Sequence, residues 1–130
     1  MTIRQSTIQR RAKAAWQDVE TIKDKDKYGT LARKLPSMLQ VNGLGPTLAF
    51  LLAKGKNKST DGHMEIFQHV SFWVLSEFDL NSKHKTLMDL VRDNDMDTYR
   101  RATTEAIEYA IWLKRYVEAL DWGSVQGDDA

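Results

Sequence analysis

The 130-residue chain contains no cysteine. Disulfides, thiolate metal centres and cysteine nucleophiles are therefore excluded, and an intracellular setting is the simpler expectation. No stretch approaches the roughly 20 consecutive apolar residues that a membrane span requires. The N-terminal run MTIRQSTIQRR is polar where a signal peptide would be apolar, so a cytoplasmic protein with no membrane association is expected. Nor is there any sustained alternation of apolar and polar residues of the kind a half-buried strand shows. With 42% hydrophobic and 28% charged residues, the composition is neither that of a disordered chain nor that of a collagen. A length of 130 residues suits one hydrophobic core, and a single domain over residues 1–122 with a frayed tail at 123–130 is expected.

The net charge of +1 conceals a division along the chain. Residues 1–60 hold 12 basic and 4 acidic groups, a balance of +8, whereas residues 61–130 hold 7 and 14, a balance of −7. That division points to one basic surface for a polyanion and one acidic surface for a different neighbour, provided folding does not interleave the halves.

Apolar residues recur at three- and four-residue spacing in several segments, which predicts an all-α fold. Ile8, Ala12, Ala15, Val19 and Ile22 share the inward face of a first helix, with Arg10, Lys13 and Gln17 opposite. A second helix over Tyr28–Gln40 places Leu31, Leu35, Met38 and Leu39 inward, with Pro36 predicting a kink or break. Asn42-Gly43 ends it, and Pro46 starts a short helix to Ala53. Lys54–Gly62 lacks apolar periodicity and reads as the longest loop, expected to be mobile. The segment His63–Phe78 is apolar on two sides, with Met64, Phe67, Val74, Leu75 and Phe78 on one and Ile66, Val70 and Trp73 on the other. It therefore reads as a central helix or an interface. A short helix over Lys83–Val91, capped by Ser82, precedes a long final helix whose inward positions are Tyr99, Ala102, Ala106, Ala110, Leu113, Val117 and Leu120.

Motifs for catalysis or metal binding are incomplete. His63, His69 and His84 include no i, i+4 pair to hold a metal, so solvated or capping roles are favoured. Asp93, Asp95 and Asp97 resemble the opening of a calcium loop, but Thr98 and Thr104 replace its glycine and bidentate glutamate, which leaves helix capping. Gly55-Lys56 is no P-loop, because Asn57 stands where Ser or Thr is needed and Phe50 where the first glycine is needed. No serine elbow is present. No active site, metal or cofactor is expected. A helix-turn-helix reader at Asn42-Gly43 is disfavoured because its second helix would offer Leu48 to Leu52 to base edges that need polar partners.

Two features remain. Arg4, Arg10, Arg11 and Lys13 on the first helix, with Lys54, Lys56 and Lys58 on the loop, have the reach and charge for phosphate contacts, against the alternative of a merely solvated basic face. Trp73, Ile111 and Trp112, with Trp122 beside them, are apolar residues in excess of the helical stripes. They are candidates for a partner interface, against the alternative of ordinary core.

Certain segments carry a resemblance. Arg11-Ala-Lys-Ala-Ala-Trp16 with Val19, then Tyr28, Leu35-Pro36-Ser-Met-Leu39 and Asn42-Gly43-Leu44 through Leu48-Ala49-Phe50, are similar in order and spacing to the small subunit of the type III-B (Cmr) CRISPR ribonucleoprotein complex. Tyr99-Arg100, Thr104-Glu105-Ala106 and Trp112-Leu113-Lys114-Arg115 resemble that family's closing helix. The resemblance implies a compact bundle of about six helices, stacked in several copies beside the repeated backbone subunit along guide CRISPR RNA and target RNA. It also implies that RNA cleavage belongs to another subunit and that this chain serves antiviral defence without an active site. The small subunit of the related type III-A complex and an adaptor without RNA contact are the alternatives.

Overall fold

In the computed structural model, residues 6–78, 87–93 and 95–123 are described, and they form six helices and no strand. These are α1 (Thr7–Val19), α2 (Lys25–Asn42), α3 (Leu44–Gly55), α4 (Gly62–Phe78), α5 (Leu87–Asp93) and α6 (Met96–Ala119). Local chemistry sets the boundaries. Ser6 and Gln9 form a reciprocal capping box at the start of α1. Asp24 accepts from the Lys27 amide at the start of α2, and Asp95 from the Thr98 amide at the start of α6, the capping role predicted for the Asp93–Asp97 cluster. Gly43, at φ +87°, turns the chain between α2 and α3 in a conformation that side chains resist.

α2 and α6 run antiparallel, with Gly29 against Trp122 at one end and Gly43 beside Tyr99 at the other. Between them Leu31, Leu35 and Leu39 pack with Ala102, Ala106, Ala110, Leu113 and Val117, all buried. The small alanines let the two backbones approach, which gives the apolar stripe of α6 its depth. α4 touches each of the other five helices. That contact explains its two apolar sides, and of the two readings of this segment the central helix is the one realised.

Several expectations are corrected. α2 continues through Pro36 to Asn42 without a break. The missing amide costs one helical hydrogen bond, but Leu35 and Leu39 are buried on either side of it and hold the helix to the core. The stretch read as a mobile loop is shorter and more ordered. α3 runs to Gly55, α4 begins at Gly62, and the turn between them is closed by Lys58 N to Gly55 O and Asp61 N to Lys58 O bonds of 3.0 and 2.9 Å. Asp61 also ties this turn to α2 through Lys27 Nζ at 3.0 Å. Ile8 and Leu120, expected inward, are exposed at the helix ends, and Ile22 is buried although it lies beyond α1. The predicted Ser82 cap and the tail beyond Gly123 lie outside the described residues. Among the described residues no helix is long and apolar enough to cross a membrane.

Candidate nucleic-acid interface

The basic residues singled out in the sequence occupy different environments. Arg4 lies outside the described residues. Lys13, on the solvent side of α1, and Lys54, Lys56 and Lys58, around the α3–α4 turn, are exposed and form no ion pair among the described residues. Lys56 is presented by a left-handed backbone (φ 48°) that caps α3. Arg10 is exposed but occupied: Glu77 accepts from both of its terminal nitrogens at 3.0 and 3.2 Å, which raises the guanidinium pKa further. Arg11 does not face solvent as expected. It is buried, and its Nε and Nη2 donate to Glu105 at 2.6 and 2.9 Å. Helical geometry explains the contrast. A step of one residue turns the side chain by about 100°, so adjacent arginines point to different surroundings.

The two basic groups are not brought together. Arg10 reaches Glu77 at the C-terminal end of α4, whereas the lysine-bearing turn sits at the N-terminal end, beside Gly62. The intervening 15 residues of α4 span about 22 Å. They therefore offer two separate points of positive charge. A polyanion touching both must be extended.

The aromatic candidates also divide. Trp73 is core: it is 7% exposed, stacks on Tyr109 with ring centroids 5.8 Å apart, and donates from Nε1 to Glu105 at 2.7 Å. Trp112 is half-buried, packs on the core and lies 5.7 Å from the Tyr116 ring. Ile111 remains on the surface, 38% exposed. Trp122 folds back onto Gly29, and its carbonyl accepts from Arg33.

Sequence reading missed two buried polar clusters. In one, Glu105 joins α1, α4 and α6 by accepting from Arg11 and Trp73. In the other, Asp18 accepts from the Tyr109 hydroxyl, and the Tyr28 hydroxyl meets His69 Nδ1 at 3.0 Å. Burial raises the Asp18 carboxyl pKa, against the pull of His69 and the Tyr109 hydrogen bond, and burial lowers that of His69. Burial likewise drives both tyrosines well above their ordinary range, so the cluster holds neutral phenols in its folded form. His63 is also not solvated. It is buried against Phe50, with its Nδ1 on Asp61 at 2.9 Å. His84 lies outside the described residues. No group of three potential metal ligands occurs among the described residues. The Glu105 cluster and the cluster of Asp18, Tyr28, His69 and Tyr109 are fastened across sequence separations of more than 30 residues, and no local spacing announces them.

The chain is similar to known CRISPR-associated proteins. The family model for the CRISPR-associated protein Cas_Cmr5 matches residues 7–120, from the start of α1 to the end of α6. The CRISPR system Cmr subunit Cmr5 of Thermotoga maritima is 35% identical over 114 residues, covering 84% of this chain and 80% of that protein. The protein of the same description from Thermus thermophilus is 29% identical over 94 residues, covering 72% of this chain and 75% of its own length. With the whole helical bundle inside the match, the chain belongs to the Cas_Cmr5 family of CRISPR-associated proteins.

Proposed function

We propose that this chain is the small, non-catalytic subunit of a cytoplasmic type III-B CRISPR effector that targets foreign RNA. In this reading it joins the other Cmr subunits, including the repeated backbone subunit, and stacks with further copies of itself. It steadies guide RNA and target RNA by charge, without a cofactor. Family membership supports the assembly role. The observation that carries RNA contact is the set of exposed lysines Lys13, Lys54, Lys56 and Lys58, whose charges have no carboxylate partner among the described residues. Phosphates need only such charge, and two separated points of contact suit a strand lying along the bundle. Arg10 joins this set only if phosphate displaces Glu77, and Arg11 supports the fold instead.

The test is retention of target RNA by the reassembled complex with Lys13, Lys54, Lys56 and Lys58 changed to glutamate. Retention should fall at low salt, equally for unrelated RNA sequences, and the dependence on salt should weaken by about 0.7 in log–log slope for each lost phosphate contact. Unchanged retention, with normal incorporation of the variant, would assign the chain to an adaptor role without RNA contact.

A further inference from the structure

The solvent side of α6 carries a second stripe, distinct from the one in the core. Met96, Ile107 and Ile111 fall on one face, with Arg100, Thr103 and Lys114 interleaved, because steps of three and four residues return to the same side of a helix. Met96 is 65% exposed, Ile111 is exposed, and Ile107 is half-buried. From Met96 to Ile111 the stripe runs about 22 Å, roughly four turns. Beside its N-terminal half opens a groove of about 430 Å³, walled by Leu39, Gln40 and Gly43 at the end of α2 and by Tyr99, Arg100 and Ile107 of α6.

We propose that this α2/α6 groove receives an acidic amphipathic helix from a partner subunit. The partner's apolar side chains would lie on Met96, Ile107 and Ile111, and its carboxylates would meet Arg100 and Lys114. Shape, chemistry and charge each select this occupant. The stripe lies along one face of α6 over roughly four turns, with Ile107 and Ile111 one turn apart, which suits a helix laid beside it. The apolar groups of the stripe beside the groove, Met96, Ile107 and Ile111, are aliphatic and thioether, whereas nucleic-acid bases stack on open aromatic faces. The one ring in the groove, Tyr99, has its hydroxyl engaged by the Gly45 amide at 3.1 Å. Arg100 and Lys114 form no ion pair among the described residues, so an acidic partner would supply the missing charges. Local acids do not fill that role: Glu105 is held by Arg11 and Trp73, and Glu118 by Arg115 at 3.0 Å. The inference rests on the chain being a subunit of a larger assembly, and it does not depend on RNA contact.

The experiment uses the full chain and the remaining purified protein subunits of the complex, without RNA. Binding is read by titrating fluorescently labelled chain, and exposure of Met96 by hydroxyl-radical oxidation and mass spectrometry. Met96→Asp and Ile111→Asp change exposed positions, so they should retain the wild-type circular dichroism spectrum while binding at least about 10-fold more weakly. Arg100→Glu should weaken binding at low salt and converge on the wild type at high salt. Met96 should become protected on assembly. Wild-type affinity in both aspartate variants, with Met96 oxidised as fast in the assembly as in the free chain, overturns the proposal. Protection that appears only on adding RNA assigns the groove to RNA, and protection that grows with the chain's own concentration assigns it to a second copy. Either result also overturns it. Reversing Lys13, Lys54, Lys56 and Lys58 should leave RNA-free binding unchanged, which separates failure of this inference from failure of the RNA reading.

Discussion

Replacing Glu105 by alanine tests how much of the bundle hangs on one buried carboxylate. Glu105 lies where α1, α4 and α6 meet, and its oxygens take hydrogen bonds from Arg11 Nε and Nη2 and from Trp73 Nε1 at 2.6, 2.9 and 2.7 Å. The Arg11 and Glu105 side chains are only 9% and 13% exposed, so solvent does little to screen the pair. Glu105→Ala strands a guanidinium and an indole N–H away from water. Removing one member of a buried pair costs about 3–5 kcal/mol. With a urea dependence near 2 kcal/mol per molar, the unfolding midpoint should fall by about 2 M. Replacing both charges, Arg11→Met with Glu105→Leu, should recover much of this, leaving chiefly the unpaired Trp73 N–H at about 1–3 kcal/mol. Urea unfolding followed by circular dichroism reads Glu105→Ala together with the cycle formed by wild type, Arg11→Met, Glu105→Leu and the double variant. A single-variant midpoint within error of wild type, or a coupling energy near zero, would refute the argument that these three groups act as one buried unit.

Gly29→Ala should be strongly destabilising, because its Cβ would sit 2.5 Å from the Trp122 backbone carbon and force α2 away from the end of α6; a melting temperature equal to wild type would contradict that packing. Leu113→Ala removes a fully buried side chain from the α6 stripe and should cost about 2–5 kcal/mol, whereas a loss within error in thermal unfolding would place Leu113 at the surface. Acid should act partly through Asp61. Burial pushes its carboxyl up, but hydrogen bonds from Lys27 and from the His63 ring and amide outweigh this and hold it at about 2. Because that folded pKa lies below the unfolded value of about 3.9, its contribution is present above that value and is lost as pH falls toward 2. Asp61→Asn should therefore flatten the stability profile between pH 4 and 2 in urea titrations, and an unchanged acid profile would exclude this role.

Local periodicity was enough to identify the elements. The helical class, the inward stripe of α6, the turn at Asn42-Gly43 and the capping use of the aspartates before α6 all follow from residues within a few positions of one another. The same reach covered the solvent-side lysines and Ile111, whose exposure follows from their place off the apolar stripes. The continuity of α2 through Pro36 was beyond that reach, because the packing of Leu35 and Leu39 against distant residues offsets a local penalty. The fates of Arg11 and Trp73 were also beyond it. Each carries polar groups that local rules place at the surface, and both are buried because Glu105, 94 and 32 residues away in the chain, arrives to satisfy them. The division of charge between the two halves of the sequence likewise did not survive as one basic face. Folding set Glu77 and Glu105 on Arg10 and Arg11 and placed the lysine turn at the opposite end of α4, since charges separated by many residues meet or part according to how the helices cross.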